Sequence, residues 1–456
     1  MELTKKYKMQ ILLPIILVAV VLFGTVLYYM FADNDSSDYQ CSLGKKYLND
    51  LDYSGAILAY SNAIALDPTN TEARIGLAKA YNLNGDTGFA VEILTDAMNE
   101  KRINPEIAEA LAEIYTENGD YGRAVGILND ILDQTDSEKY YNRVIELYTA
   151  IYNRPYTVST GTNHQLKLND TSVMSHGANF FGQLGFANGV GDAEYLIDQY
   201  VPSEFPGEAI SVFCAGNTSF VIDKTNNLWI AGENRWGQMG KSYGSLSSVS
   251  GWSQVTDTGD VVYVSGCSGI VFILKSDGTL FRSGAYASQK LIQCGGIPAI
   301  IKVSVTEGYG YELGVNGILY RSQLNEELSW QRLTNASHRI SDYAAIADCY
   351  AWIDDRGAFG NYGVAMPDDW TYQNDGSCMP DVYISEIEVN QNNLVYRDAN
   401  GTVYYLDNNY DCVPTGYTGT LKNLFTDSSN IYAVYEDGTV LCWENYASRE
   451  FKVLTQ

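Results

Sequence analysis

Residues with the chemistry for catalysis or metal binding are sparse in this chain of 456 residues, which holds three histidines and eight cysteines. His164 and His176 fall at turn and strand-end positions that align with Ser219 and Ala231 one repeat further on, so repeat architecture accounts for them without acid–base work. Neither they nor His338 stand in a metal-ligand pattern. Cys41, Cys214, Cys267, Cys294, Cys349, Cys378, Cys412 and Cys442 form no CxxC pair and no zinc spacing. They read as small buried apolar residues, with disulfides open if the chain faces an oxidising compartment. Asp354-Asp355 and Asp368-Asp369 are adjacent carboxylates without EF-hand spacing, of the kind that acidic surface loops carry. Gly308-Tyr-Gly310-Tyr-Glu-Leu-Gly314 opens a strand rather than a helix and lacks the spacing of a dinucleotide fingerprint. These residues predict no enzyme, no metal and no cofactor.

The formal charge of −26 is spread along the chain. Residues 1–31 carry three basic groups against one acidic, residues 32–156 ten against twenty-one, and residues 157–456 sixteen against thirty-three. Sequence-neutral nucleic-acid binding needs Lys and Arg to neutralise phosphates, so this balance excludes DNA and RNA as expected partners.

Three kinds of element follow one another, and they predict a multidomain protein. Residues 9–31 form an apolar run of the length that crosses a hydrocarbon core, about twenty residues. Lys5, Lys6 and Lys8 precede it and Asp33, Asp35 and Asp38 follow, so the positive-inside bias places residues 1–8 in the cytoplasm. The stretch is long for the core of a signal peptide, and Phe31-Ala32-Asp33 lacks a small-x-small cleavage pattern. The expectation is a single-pass cell-membrane anchor with the rest of the chain outside the cytoplasm.

Residues 37–138 carry a 34-residue period without slippage, within a helical region expected to span 37–152. Tyr47, Tyr81 and Tyr115 keep it, as do Asp52, Asp86 and Asp120, and Ala56, Ala90 and Ala124. Each unit splits into two blocks of helical periodicity, broken at Asn-Gly-Asp in residues 84–86 and 118–120. The pattern of small, aromatic and alanine positions resembles the tetratricopeptide repeat. That resemblance implies an all-α solenoid of three helix pairs, with residues 139–152 as a degenerate capping helix. The second and third units depart from it by placing Leu94 and Leu128 where the first has Tyr60.

From residue 155 the periodicity changes to alternation with Gly-rich turns. A strand-turn-strand unit recurs around Asp170-Thr171, Thr225-Asn226, Asp277-Gly278, Asn316-Gly317, Arg356-Gly357, Asn400-Gly401 and Asp437-Gly438, and most of these dipeptides suit a tight hairpin needing positive φ. These are seven strand-turn-strand units in residues 155–456, each expected to build a four-stranded sheet. Gly177-Ala-Asn-Phe-Phe-Gly-Gln-Leu-Gly185 and Gly232-Glu-Asn-Arg-Trp-Gly-Gln-Met-Gly240 resemble the regulator-of-chromosome-condensation repeat, and the resemblance implies an all-β seven-bladed propeller. Phe451-Lys-Val-Leu-Thr-Gln456 is expected to pair with the first unit near Pro155–Thr160 and close the ring.

Function should then lie in what the repeats leave unconstrained. Phe181 and Trp236 share one variable position before Gly-Gln, and Arg235 precedes Trp236. Three long connections, 186–209, 241–258 and 360–383, hold further aromatics including Trp252, Trp370 and Tyr372. Trp, Tyr and Arg are the residues that most often anchor protein interfaces, so these six are the partner-binding candidates. The resemblance carries no nucleotide-exchange activity with it, but relatives with this repeat include inhibitors that cap an enzyme with one propeller face. The expected function is a membrane-anchored, non-catalytic scaffold whose helical repeats and propeller face bind proteins. The rivals are glycan or cell-wall binding by aromatic loops, and a propeller hydrolase or lyase with convergent charges at the channel mouth.

Overall fold

The protein is described from a computed structural model over residues 36–456, apart from 99–103, 136, 153–154, 241–247, 256–257, 268, 286, 288–289, 326–327, 334–338, 365–370, 373–377, 380–382, 391, 399, 428–429, 445–448 and 455–456. The expected tail 1–8 and membrane span 9–31 lie outside the described residues, and no helix among the described residues is long and apolar enough to cross a membrane. The chain divides into two compact units, Met1–Asn118 and Gly119–Gln456. The division falls between the two helices of the third repeat.

Among the described residues the first unit holds five helices: α1 (Ser37–Asn49), α2 (Tyr53–Leu66), α3 (Thr71–Leu83), α4 (Thr87–Met98) and α5 (Pro105–Glu117). The recurring aspartate has a local cause. Asp52 accepts a hydrogen bond from the Gly55 N–H at 2.9 Å, capping α2. Asn70 does the same for Ala73 in α3, and Asn104 caps α5 with Pro105 in its first turn. Gly85 closes α3 at φ +91°, and Leu51 holds the matching place in the first repeat at φ +60°. The core centres on Tyr60, 2 % exposed, whose ring lies between Gly44 and Gly76. A Cβ at either glycine would fall 2.7 or 2.3 Å from that ring, so their lack of a side chain makes the aromatic slot. Leu94 fills the equivalent core position of the second repeat.

The second unit begins with α6 (Tyr121–Thr135) and α7 (Glu138–Tyr152). Gly122 and Gly126, one turn apart, face Ser341, Tyr383 and Asp355, and Arg123 lies 4.6 Å over the Tyr383 ring. The first of these helices is thereby seated on the fifth sheet of the propeller that follows, and the second lies against the fourth.

That propeller has seven antiparallel sheets, each built from consecutive strands: blades at 158–202, 209–254, 261–293, 300–332, 340–379, 384–414 and 421–454. Six are four-stranded. Blade 5 has a fifth strand, because the connection 360–383 adds the short pair Thr371–Tyr372 and Cys378–Met379 at its rim. All seven expected hairpins contain a residue at positive φ, Asp170, Asn226, Gly278, Gly317, Gly357, Gly401 and Gly438. The turns gain support that dipeptide reading did not anticipate. Asp223 accepts from the Thr225 and Asn227 N–H groups, and Asp354 and Asp398 repeat the device. Asp354 is therefore a buried turn residue, paired with Arg356, and no member of a surface carboxylate pair.

The expected pairing of the C-terminal segment with Pro155–Thr160 does not occur. Lys452–Leu454 pairs with Val440–Trp443 and completes blade 7 by itself. Val158–Thr160 is the first strand of blade 1, and first strands of successive blades lie side by side around the hub. A rim strand cannot reach a hub strand, so side chains close the ring. The Thr160 N–H donates to Asp427 Oδ2 at 2.7 Å, the Thr160 and Tyr432 hydroxyls meet at 2.6 Å, and Tyr156 packs 4.3 Å from Phe425.

Among the described residues Cys41, Cys214 and Cys442 are buried and Cys267, Cys294, Cys349 and Cys412 partly so, all as free thiols. Burial pushes the Cys442 thiol up to about 12.

Candidate interaction site

The Gly-x-Asn-x-x-Gly-Gln loops are built by their own side chains. Asn179 Oδ1 accepts the Leu184 N–H at 2.8 Å, and Asn234 Oδ1 accepts Met239 N–H at 3.0 Å. Gln183 and Gln238 each turn back to accept the N–H two residues earlier, from Phe181 and Trp236 at 2.8 and 3.0 Å. Gly177, Gly182, Gly185, Gly232, Gly237 and Gly240 all have positive φ. At Gly232 a Cβ would lie 2.4 Å from the Asn217 carbonyl, so that position requires glycine twice over. The loop pins its backbone and presents its two variable residues.

Those variable residues meet. Phe181 from blade 1 and Arg235 and Trp236 from blade 2 line one cavity of about 310 Å³, with Asn217, Glu233 and Gly269. This is near the lower end of ligand-pocket volumes, roughly 300 Å³. Trp236 is 49 % exposed and still leans across the blade boundary onto Gly269, where a Cβ would fall 2.5 Å from the indole. It is both a wedge and a surface residue. Arg235 Nε lies 3.3 Å from Glu233 Oε1, and its guanidinium carbon is 6.0 Å from the Phe181 ring centre. Asn217 donates to the other Glu233 oxygen at 3.2 Å. Phe180, also exposed, stands edge-on to Phe181 at 4.9 Å and widens the aromatic surface. Sequence reading had not included Phe180 or Glu233, although both adjoin the variable pair in the repeat.

The other candidates lie elsewhere. Trp252, expected on a loop, sits in the outer strand Ser248–Gln254 of blade 2. Its indole N–H donates to the Ser203 carbonyl at 2.9 Å, and its ring meets Phe205 edge-on at 5.5 Å over Gly185. Tyr372 belongs to the added strand pair of blade 5, and Trp370 and His338 lie outside the described residues.

Charged side chains do converge at the hub, from a signal missed in the sequence. In blades 2, 4, 5, 6 and 7 the first strand shifts register near its start, and a polar residue follows: Ser211, Lys302, Asp342, Glu386 and Asn423. The apolar-x-polar-apolar quartets at these strand starts are their mark. Lys302 Nζ lies 2.8 Å from Asp342 Oδ1 and 3.2 Å from Glu388 Oε1. Burial works to lower the Lys302 pKa, but the two carboxylates outweigh it and raise the value above that of a free ammonium group. Burial pushes the Glu388 carboxyl up to about 7, against the pull of Lys302. The adjoining cavity is about 60 Å³. The charges a hydrolase would need at this position are here closed on one another.

His164 is also buried. Its Nε2 lies 2.8 Å from Ser219 Oγ, which donates onward to the Gln183 carbonyl, so the imidazole proton belongs on Nε2. Burial holds its pKa down to about 3. The folded value lies below the ordinary one of about 6.5, so this contribution to stability is complete above that pH and is lost on acidification. Between pH 7 and pH 5 the wild-type propeller should lose about 2 kcal/mol more than His164→Gln, read from urea midpoints. Equal losses would show that the imidazole is not kept neutral.

Comparison with known proteins adds the following. The tetratricopeptide-repeat family model matches residues 83–147. No curated protein matches the chain. Among solved structures, human WBSCR16 is similar at 15 % identity, covering 59 % of this chain and 83 % of its own, with a TM-score of 0.48. Prp20p from Saccharomyces cerevisiae is similar at 16 % identity, with 66 % and 76 % covered and a TM-score of 0.42. Yeast RCC1 (Prp20), seen bound to Kap60, gives 14 % identity, 66 % and 74 % coverage and a TM-score of 0.40. The chain thus carries a segment that matches the tetratricopeptide-repeat model, followed by a seven-bladed propeller.

Proposed function

We propose that this protein is a non-catalytic interaction scaffold, anchored in the cell membrane by residues 9–31, with its helical repeats and propeller binding protein partners outside the cytoplasm. The observation that carries the reading is the convergence of Phe181, Arg235 and Trp236 on one cavity from two blades. Aromatic and arginine side chains around a central depression are the usual composition of interface hot spots. The helical unit supports the same reading, with Leu58, Leu66, Leu83 and Phe89 exposed on its surface. The acidic balance of the region 157–456 keeps nucleic acid out of the partner list.

The test is capture of partners from the native envelope by the full chain, beside a Phe181→Ala/Trp236→Ala variant. A partner retained by the wild type should be lost at least tenfold by the variant. Equal retention would remove the cavity from the interface.

A further inference from the structure

The cavity between blades 1 and 2 already holds a guanidinium group. Arg235 lies with its guanidinium against the Phe181 face and the Glu233 carboxylate, at 6.0 and 3.3 Å. The two members of this ion pair are held differently. Glu233 is 14 % exposed and is fixed by the Asn217 amide, whereas Arg235 is 57 % exposed and has a long flexible stem. An ion pair at a solvent edge contributes little, so the carboxylate is a fixed element and the guanidinium a replaceable one. Trp236 offers a second aromatic face on the same cavity. Two π faces around a fixed carboxylate select a planar cation over an anion or a neutral amide. The surrounding field agrees, since residues 157–456 carry sixteen basic against thirty-three acidic groups.

We infer that this cavity takes an arginine side chain from a basic segment of the protein partner, which displaces Arg235 from Glu233. Arg235 then acts as an internal competitor, and its removal strengthens binding. The inference rests on the protein-binding reading given above and sharpens it to one partner chemistry.

The experiment is fluorescence anisotropy of a labelled hexapeptide of alternating glycine and arginine with the full chain. The same peptide with citrulline in place of arginine, and one with glutamate, serve as comparisons. Arg235→Ala should tighten the arginine peptide three- to tenfold. Glu233→Gln and Trp236→Ala should each weaken it at least tenfold, and the citrulline peptide should bind at least tenfold more weakly than the arginine one. Glu208→Gln removes an exposed carboxylate paired with Lys224 and should leave binding unchanged. The inference is overturned if Arg235→Ala abolishes binding and the glutamate peptide is preferred, because Arg235 would then be the recognition element for an anion. It is equally overturned if Glu208→Gln weakens binding as much as Glu233→Gln, or if the arginine peptide does not bind. Capture of a protein partner that depends on Trp236 but ignores Glu233→Gln would sink the cation inference alone. Capture indifferent to both Phe181 and Trp236 would sink the underlying reading as well.

Discussion

Lys302→Ala is expected to destabilise the propeller by about 3–5 kcal/mol, the largest single effect at the hub. The side chain is 10 % exposed and is shared by Asp342 at 2.8 Å and Glu388 at 3.2 Å. Its removal takes the ammonium group away from two buried carboxylates. The pH dependence gives the effect a signature. Burial already places the folded Glu388 carboxyl near 7, above its ordinary value, so protonation favours the fold. That stabilisation is complete below the ordinary carboxyl pKa and is lost as pH rises through about 7. Without Lys302 the folded pKa of Glu388 rises further and the same loss continues to higher pH, so this part of the variant's deficit should be smallest near pH 5 and greatest near pH 8. Replacing all three residues together, as Lys302→Met with Asp342→Leu and Glu388→Leu, should recover most of the loss. Chemical denaturation at three pH values reads all of these. A deficit independent of pH would mean that the cost is lost packing and not stranded charge.

Tyr60→Ala is expected to cost the helical unit about 3–5 kcal/mol, a large part of the stability of a domain of that size. The phenol occupies the slot that Gly44 and Gly76 leave open, within a cluster that includes Cys41, Ala63, Ala73 and Leu77. The chain contains its own control. One repeat later the same three places are held by Ala78, Leu94 and Ala110, all buried. The first repeat uses two glycines around a large ring, the second two alanines around a smaller side chain. Gly76→Ala alone should overpack the site, at a cost of about 1–3 kcal/mol. The triple change Gly44→Ala, Tyr60→Leu and Gly76→Ala should be far milder than Tyr60→Ala, because it conserves volume. Far-ultraviolet circular dichroism during thermal and urea unfolding is the measurement. A triple variant no better than Tyr60→Ala would show that the phenol contributes something other than filling.

Local chemistry was legible in the sequence wherever it repeats. The 34-residue period marked every helix of the first unit, because each position recurs for one physical reason: Asp52 caps, Tyr47 and Ala56 pack, Gly85 ends a helix. The seven hairpins were legible because positive φ at Asn226 or Gly278 demands particular residues. Features set by distance along the chain were not. The hub contact of Lys302 with Asp342 and Glu388 joins three blades, and single-strand alternation says nothing of neighbours across a channel. Ring closure failed for the same reason, since pairing of the C-terminal strand with Val158–Thr160 is sound as local chemistry and impossible between rim and hub. The candidate site was half legible. Phe181, Arg235 and Trp236 stood out as the variable residues of a fixed loop, but Glu233 and Phe180 became members only when the loops came together. Trp252 shows the converse, an aromatic chosen for its type that is engaged with Ser203 and Phe205.

The claim that function resides on the face between blades 1 and 2 is most directly tested by hydrogen–deuterium exchange of the full chain with and without its captured partner. The account predicts slowed exchange in residues 179–186 and 233–240, abolished by Phe181→Ala/Trp236→Ala. Protection confined to another face, such as the outer strands within 394–414, with those two segments unchanged, would contradict it.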